Sequence, residues 1–361
     1  MEKLKQKALT FDDVLLLPRY SDFLPSDANI DTRLTRNITL KMPLISAAMD
    51  TVTESKMAIA LAEAGGIGII HKNNSIEHQA SLVKAVKKYE SGIVRDPVTI
   101  SSSKTIGELK QLTAELSISG MPVVDNGKLK GIVTGRDFRY ADNMESKVSS
   151  IMTPFKKLVT VKEGVSQNEV MQLMYKNRIE KVLVLDDQSN LSGLVTMKDI
   201  EKSAQNPNAT KDEAGSLKVG AALGTGAETL ERAEALINEG VDVFVIDSAH
   251  GHSNNVIQMI KSIKKQFKDI DVIGGNIATA EGALELVKAG ADAVKVGMGP
   301  GSICTTRIIA GIGVPQITAI FDIKNAFNKK NNIPIIADGG IRFSGDIAKA
   351  IAAGADSVML G

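Results

Sequence analysis

The chain has 361 residues, 43% of them hydrophobic and 24% charged, which excludes a mainly disordered protein. Lys and Arg number 43 and Asp and Glu 42, so a net charge of +1 excludes a strong overall field for nucleic acid or anionic lipid. The single cysteine, Cys304, excludes an intrachain disulfide and a four-thiolate zinc site. We expect a cytoplasmic protein with no membrane contact and no specific nucleic-acid partner, because one thiol suits a reducing compartment and no apolar stretch is long enough to span a bilayer.

Short apolar runs alternate with helical periods along two parts of the chain. Before a break near Gly92, strands are predicted at residues 42–49 and 67–70 and helices at 53–64 and 75–89. After Leu217, strands are predicted at 218–223, 241–248, 271–277, 293–297, 334–338 and 357–361. Helices are predicted between them at 229–239, 254–267, 280–289, 317–328 and 344–353. Three of these helices end in a repeated tag, a glycine followed by a small residue and an aspartate, where glycine can supply the left-handed residue that ends a helix.

These eight strands favour one fold class, an α/β protein with a closed (β/α)₈ TIM barrel formed by residues 1–91 and 206–361. An open, doubly wound sheet is the alternative, because it has the same alternation of strands and helices.

The break between the two parts contains an internal repeat. Residues 97–100 recur as 158–161, 120–125 as 181–186, and 131–137 as 193–199. Each copy is predicted to run strand, helix, strand, strand, helix. We therefore expect an inserted α+β domain with one motif at residues 92–150 and a second at 151–205.

A glycine-rich loop follows the strand predicted at 293–297 and reads Gly-Met-Gly-Pro-Gly-Ser-Ile-Cys-Thr-Thr-Arg over residues 297–307. In a barrel this loop lies on the catalytic face. A thiol in a polar loop can ionise and act as a nucleophile, although a free cysteine can also be a small apolar filler. The loop's carbonyl groups could hold a monovalent cation, or the glycines could merely form a turn.

Two further strands are followed by polar residues. Residues 337–341 read Ala-Asp-Gly-Gly-Ile, where the Gly-Gly turn could cradle a phosphate and Asp338 a sugar, or Asp338 could simply cap the next helix. Residues 245–252 read Val-Ile-Asp-Ser-Ala-His-Gly-His, where Asp247 and Ser248 could hold a ribose or a polar ring, or Asp247 could be a cap and the histidines surface residues.

Other motifs are absent or ambiguous. The sequence has no Gly-x-Gly-x-x-Gly that follows a strand and opens a helix, and no Gly-Lys-Ser/Thr phosphate loop. In the repeat, Thr134-x-x-Asp137 and Thr196-x-x-Asp199 occupy equivalent positions. Each aspartate could hold ribose hydroxyls of a nucleotide, or could cap a helix.

Three segments of the sequence, one of them the glycine-rich loop, together resemble the inosine-5′-monophosphate (IMP) dehydrogenase family. The resemblance runs over residues 8–361 and is carried by residues 9–16 (Leu-Thr-Phe-Asp-Asp-Val-Leu-Leu), by 43–54 (Pro-Leu-Ile-Ser-Ala-Ala-Met-Asp-Thr-Val-Thr-Glu) and by the loop 297–307. The repeat is similar to the pair of cystathionine-β-synthase (CBS) motifs that this family inserts, and the motifs have the bacterial form.

The resemblance implies a reaction and its residues. The family oxidises IMP to xanthosine monophosphate with NAD⁺ and water, in guanine nucleotide biosynthesis. By match, Cys304 attacks C2 of the purine and a covalent thioimidate forms, with Thr306 beside the nucleophile. The positions that match substrate-binding residues are Met49, Ser302, Asp338, Gly339, Gly340 and Gly361.

The resemblance also implies a cofactor, an ion and partners. The positions that match NAD-binding residues are Asp247, Ser248, Ala249, Asn276, Gly297, Met298 and Gly299. Carbonyls of Gly299, Gly301 and Cys304 match a potassium site that orders the loop. The CBS pair would bind adenine or guanine nucleotides, with Asp137 and Asp199 as candidate contacts. Family members form homotetramers, which nucleotides can pair into octamers.

The family's eighth strand leads into a flap whose arginine activates the hydrolytic water, and these 361 residues do not include that flap. We therefore expect this chain to form the covalent adduct without turning over. Guanosine monophosphate (GMP) reductase is an alternative, because it shares the barrel and the cysteine but usually lacks a CBS pair. A nucleotide-sensing regulatory protein without turnover is the alternative of another class, although a sensor does not need the thiol.

Overall fold

The computed structural model describes residues 7–89, 94–95, 97–116, 118–197, 200, 205–327 and 332–361. The chain divides into two compact units. The first consists of Met1–Tyr89, Asn208–Glu213 and Leu217–Gly361, and the second of Glu90–Pro207 and Ala214–Ser216. Among the described residues, we find no helix with the length and apolarity that a membrane crossing requires.

The first unit is built on eight parallel strands that close into a barrel, so the barrel prediction is confirmed and the open sheet is excluded. In chain order the strands are β3 (Leu44–Ser46), β4 (Ile67–Ile70), β12 (Gly220–Leu223), β13 (Val243–Asp247), β14 (Asp271–Ile277), β15 (Ala293–Val296), β16 (Ile335–Asp338) and β17 (Ser357–Leu360). The ring closes where Val358 of β17 pairs with Leu44 of β3, and where Gly220 pairs with Ile69.

Helices alternate with these strands and cover the barrel, apart from the short helix at Thr306–Ile309, which has no buried residues. They are α1 (Ser55–Glu63), α2 (Ile76–Tyr89), α6 (Thr229–Asn238), α7 (Asn254–Gln266), α8 (Ala280–Ala289), α9 (Thr306–Ile309), α10 (Gln316–Ala326) and α11 (Ser344–Ala353). In α7 the buried residues are Val256, Ile260 and Ile263, which lie on one face at helical spacing. The helix predicted to end at 328 ends at Ala326, and residue 328 lies outside the described residues.

The three repeated tags end helices as predicted. Gly240, Gly290 and Gly354 have φ angles of +86°, +103° and +118°. This left-handed conformation costs glycine little and strains other residues, and it turns the chain from each helix toward the next strand.

Side chains alternate between the inside and the outside of the barrel. In β13, Val243 and Val245 belong to the apolar cluster inside the barrel, whereas Phe244 and Ile246 pack with the helices. A short antiparallel hairpin of β1 (Thr32–Arg33) and β2 (Thr39–Leu40) adds Leu34, Ile38 and Leu40 to the inner cluster.

The second unit contains two sheets and a repeated order of elements. One sheet has the order β5 (Val94–Arg95), β11 (Leu191–Thr196), β10 (Lys181–Leu185), β9 (Thr160–Lys162), and the other the order β6 (Gly120–Asp125), β7 (Lys128–Thr134), β8 (Thr153–Pro154). The helices among its described residues include α3 (Ile106–Glu115), α4 (Gly135–Phe138) and α5 (Gln167–Asn177). In each copy, a helix of at least ten residues precedes an antiparallel pair of strands.

Candidate active site

The carboxyl ends of the barrel strands carry the predicted site residues, as expected for a barrel of this kind. Two cavities lie there. The first has a volume of about 640 Å³ and is lined by residues from the loops after β3, β15, β16 and β17. The second has a volume of about 340 Å³ and is lined by the ends of β3, β13 and β15.

The structure assigns the predicted residues to these cavities in two groups. All the residues predicted for the substrate line the first cavity: Met49, Ser302, Asp338, Gly339, Gly340 and Gly361. All those predicted for the cofactor line the second: Asp247, Ser248, Ala249, Asn276, Gly297, Met298 and Gly299. Thr306 lines the second cavity and Gly301 the first.

The two cavities share part of their walls. Met49, Asn276, Asp338 and Cys304 line both of them. The only thiol of the chain therefore lies where a molecule in one cavity could meet a molecule in the other.

Cys304 is partly exposed and lies in a hydrogen-bonded turn. Its backbone N–H donates to the Gly301 carbonyl (3.1 Å), and its thiol donates to Thr306 Oγ1 (3.3 Å). The hydrogen bonds with the Thr306 side chain and backbone, helped by the Gly299 backbone and the Arg307 charge, hold the pKa of the Cys304 thiol below its usual value. Partial burial opposes this shift without reversing it. A lowered thiol pKa increases the fraction of thiolate, which is the nucleophile.

The Gly-Gly turn after β16 has the unusual backbone that its sequence predicts. Gly339 and Gly340 have φ angles of +91° and +79°. Asp338 does not cap the following helix, because the N-cap of α11 is Phe343 and the backbone N–H groups there donate to Asp346. The carboxylate of Asp338 is thus available to the cavities rather than to a helix end.

Lys295 is the site residue that sequence reasoning missed. It lies inside β15, its side chain is 5% exposed, and its Nζ lies 2.7 Å from Asp338 Oδ2 and 3.0 Å from Asp247 Oδ1. Burial would lower the pKa of Lys295, but the charges of Asp338 and then Asp247 outweigh burial and raise it. Burial would raise the pKa of the Asp247 carboxyl, but the charge of Lys295 outweighs burial and lowers it. Lys295 is therefore a cation that bridges two carboxylates.

A periodic signal could have found Lys295. Ala293 belongs to the cluster inside the barrel, and side chains of a strand alternate, so residue 295 faces the interior too. A lysine at an interior position needs a carboxylate partner. Asp247 and Asp338 follow interior residues Val245 and Ile336 by the same spacing.

Amide side chains fix the strand ends around this bridge. Asn276 Nδ2 donates to Asp338 Oδ2 and to the Gly297 carbonyl, both at 2.8 Å. The buried Gln316 Nε2 donates to the Val296 carbonyl (2.7 Å) and the Asp338 carbonyl (3.2 Å). A Cβ on Gly297 would lie 1.8 Å from the Asp338 carbonyl oxygen, so only glycine allows these two strand ends to approach so closely.

The two histidines of the loop after β13 are partly separated from each other. The rings of His250 and His252 are 6.3 Å apart. Across the residues that the structure describes, no group of three or more His, Cys, Asp or Glu side chains is placed to hold a metal ion.

The second unit contains a cavity of its own, of about 620 Å³, which Asp137 lines together with Arg136, Arg139 and Lys181. Asp137 also caps α4, because its Oδ2 accepts from the backbone N–H (2.7 Å) and the hydroxyl (2.8 Å) of Thr134. Asp199, the equivalent candidate in the second copy, lies outside the described residues.

Comparison with known proteins identifies similar chains. A family model described as "IMP dehydrogenase / GMP reductase domain" matches residues 8–361. Inosine-5′-monophosphate dehydrogenase of Haemophilus influenzae is 56% identical, over 99% of this chain and 74% of that relative. The Escherichia coli K12 enzyme of the same name is 55% identical, over 100% of this chain and 74% of that relative.

Solved structures of a second enzyme are also similar. GMP reductase from Trypanosoma brucei, in complex with guanosine 5′-triphosphate, is 41% identical with a TM-score of 0.91, over 100% of this chain and 87% of that one. Because the match extends over the whole chain, the inserted unit does not by itself distinguish a dehydrogenase from a reductase. Sequence identity does favour the dehydrogenase, because the chain is 56% identical to the Haemophilus influenzae IMP dehydrogenase and 41% identical to the Trypanosoma brucei GMP reductase.

Proposed function

The chain belongs to the IMP dehydrogenase / GMP reductase family, and we propose that it is an IMP dehydrogenase that oxidises IMP to xanthosine monophosphate with NAD⁺ through a covalent intermediate on Cys304. One observation carries the covalent mechanism: the lowered-pKa thiol of Cys304 lies on the wall shared by the two cavities. This arrangement suits a nucleophile that attacks a base in one cavity while a hydride acceptor lies in the other.

Cys304 opens the reaction. Its thiolate adds to C2 of the purine, and the electron pair of the C2–H bond then leaves as hydride to the NAD⁺ that the second cavity would hold, which restores the C=N bond as a thioimidate. Water then adds at C2 and releases a proton, and the Cys304 thiolate leaves as xanthosine monophosphate forms. Covalent catalysis divides a difficult oxidation with hydration into two easier steps, and binding in adjacent cavities removes much of the entropic barrier.

The first cavity fits a purine nucleotide. Asp338 is the carboxylate that we propose for the ribose hydroxyls, since its Oδ2 is held by Lys295 and Asn276 while Oδ1 remains for a ligand. The backbone of Gly339, Gly340 and Gly361, with Ser302, is proposed for the phosphate. Met49 lines both cavities, which suits a side chain that lies against the purine.

The second cavity fits the nicotinamide end of NAD⁺. Asp247, Ser248 and Ala249 line it, and Asp247 is held in place by Lys295. When bound there, NAD⁺ supplies the hydride acceptor. The chain's own contribution is to hold the polar groups of the strand ends fixed around it.

A potassium ion on the carbonyls of Gly299, Gly301 and Cys304 is part of the proposal. Carbonyl oxygens suit a hard monovalent cation, and the Gly301 carbonyl, which accepts from the Cys304 N–H, has a second lone pair. Such an ion would order the loop rather than polarise the substrate. Its removal should therefore slow the reaction of Cys304.

The second unit is proposed as a regulatory CBS pair, with its motifs at residues 92–150 and 151–205. Its 620 Å³ cavity holds the carboxylate of Asp137 among Arg136, Arg139 and Lys181. This mixture suits a ribose beside a charged polyphosphate, as in an adenine or guanine nucleotide. We further propose a cytoplasmic homotetramer that takes part in guanine nucleotide synthesis.

A rapid-mix absorbance measurement tests the covalent mechanism. The protein is mixed with IMP, NAD⁺ and K⁺ at stoichiometric enzyme concentration, and NADH formation is followed. We expect a burst of about one NADH per Cys304, together with an IMP-derived adduct on Cys304 by mass spectrometry. The burst should disappear in Cys304→Ala and slow when Na⁺ replaces K⁺. A burst that persists in Cys304→Ala would exclude the covalent mechanism.

GMP reductase remains the second candidate, because the solved structures with a TM-score of 0.91 carry that name. The same absorbance measurement distinguishes the two activities. A reductase would consume NADPH in the presence of GMP and release ammonia, whereas a dehydrogenase reduces NAD⁺ only in the presence of IMP.

A further inference from the structure

Lys295 joins the two cavities through a single buried charge. Its Nζ contacts Asp338, which lines both cavities, and Asp247, which lines only the second. The lysine side chain is 5% exposed, whereas those of Asp247 and Asp338 are 30% and 21% exposed and so can meet ligands. Gly275 leaves room for this bridge, since a Cβ there would lie 2.6 Å from Lys295 Cβ.

One cation serves two carboxylates here. The two carboxylates hold the ammonium group between them, and the loss of charge on one lets Nζ move toward the other and bond it more strongly. Lys72 also acts on Asp247, since its Nζ bonds the Asp247 backbone carbonyl and its charge helps to lower the pKa of the Asp247 carboxyl, but it forms no ion pair with Asp338 among the described residues. In the part of the chain that the structure describes, Lys295 is the only ion-pair partner of Asp338.

We propose that Lys295 is a positioning residue that couples the substrate cavity to the cofactor cavity, so that the charge state of Asp247 sets how strongly Asp338 binds the ribose of IMP. When Asp247 loses its charge, Lys295 pairs with Asp338 alone and neutralises it more completely. Asp338 then becomes a weaker acceptor for sugar hydroxyls. This inference rests on the proposed function, which places IMP in the first cavity.

A double-mutant cycle on IMP binding, measured by calorimetry without NAD⁺, tests the coupling. Asp247→Asn should weaken IMP binding about fivefold although Asp247 does not line the IMP cavity. In the Lys295→Met background, the same Asp247→Asn change should alter IMP affinity less than about twofold, because the group that connects the two sites is gone.

Two matched variants control for general damage. Lys87 also lies between two aspartates, with Nζ 2.8 Å from Asp212 and 2.9 Å from Asp242, and none of the three lines the two cavities. Lys87→Met should therefore cost stability without changing IMP affinity. Asp242→Asn makes the same chemical change as Asp247→Asn at the aspartate beside Lys87, outside both cavities, and should also leave IMP affinity unchanged.

The outcomes are distinct. If the unmodified protein binds no IMP, the proposed function fails. If IMP binds and Asp247→Asn changes its affinity equally with and without Lys295, or not at all, the coupling is wrong. If Lys295→Met does not fold, the comparison of Asp247→Asn with Asp242→Asn decides, and equal IMP affinities in these two variants overturn the inference.

Discussion

Thr306 controls the ionisation of Cys304 from two residues away. Its hydroxyl lies 3.3 Å from the sulfur, and this hydrogen bond is the largest cause of the lowered pKa of the thiol. A hydroxyl stabilises a thiolate by donating a hydrogen bond to it, so the effect depends on the O–H group rather than on the size of the side chain.

Thr306→Val tests this control, because valine keeps the shape of threonine and removes the hydroxyl. A lower pKa means more thiolate at a given pH, so the substitution should raise the thiol pKa and move the pH profile of iodoacetamide alkylation to higher pH. Thr306→Ser, which keeps a hydroxyl, should retain most of the original profile. A Thr306→Val profile that coincides with that of the unmodified protein would show that another group ionises Cys304.

From the residues alone, single residues of the site were predictable only where they follow a strand, whereas Met49, Asn276 and Gly361 were named through the family resemblance. The glycine-rich loop, the Asp-Gly-Gly turn and Asp247 were all recognised by that position. Lys295 was missed because one lysine within Ala293–Val296 does not interrupt the apolar character of a strand. Its two partners lie on other strands, and only the closed barrel brings them together.

The aspartate of each repeated tag, as well as its glycine, helps to connect a helix to the following strand. The carboxylates of Asp242, Asp292 and Asp356 accept the backbone N–H of Val219, Val272 and Ile335, at 2.8, 2.9 and 2.9 Å. The backbone N–H of each aspartate donates to the carbonyl of the same partner. Each tag thus fixes the start of one strand to the start of its neighbour.

Asp292→Ala should destabilise the barrel by about 2–4 kcal/mol, because it leaves the Val272 N–H buried without this acceptor and Lys264 without its carboxylate. Urea unfolding of the unmodified and substituted proteins measures the difference. Asp269→Ala, at an exposed position, is the matched control and should change stability by less than about 0.5 kcal/mol. A similar loss in both variants would show that the tag carboxylate has no special role.

Elements of regular structure were predicted well where burial and hydrogen bonding coincide. The predicted strand 271–277 and the helix 280–289 match Asp271–Ile277 and Ala280–Ala289. The strand predicted at 42–49 is wrong in length, since β3 covers only Leu44–Ser46. Residues 47–49 are apolar because they line the cavities, and hydrophobicity alone does not separate a cavity wall from a strand.

At the scale of the whole molecule, periodicity could not choose between a closed barrel and an open sheet. The choice depends on the pairs β17–β3 and β4–β12, whose partners are far apart in sequence. In the second unit, strand β5, at the start of the first motif (residues 92–150), pairs with β11 of the second motif. The sequence repeat predicts the elements of each copy, but it does not predict that a strand of one motif pairs with a strand of the other.

The first unit holds together the two chain segments that flank the insertion. Lys87, just before the insertion, bonds Asp212, just after it, at 2.8 Å, and the Thr210 N–H donates to the Ala62 carbonyl at 2.8 Å. These contacts belong to the first unit alone. Since they fix both chain ends on the barrel, a short connection between them should suffice.

Replacement of residues 90–207 by a short glycine-serine linker should therefore leave a folded barrel whose NADH burst is within about twofold of that of the full chain, because the cavities and Cys304 lie in the first unit. With IMP and NAD⁺ present to fill the cavities of the barrel, the same change should abolish further binding of adenine and guanine nucleotides measured by calorimetry. Asp137→Ala in the full chain is the companion variant, and should weaken nucleotide binding while leaving the burst intact. Nucleotide binding that survives the replacement would place the regulatory site on the barrel, and a folded barrel without a burst would mean that the inserted unit takes part in catalysis.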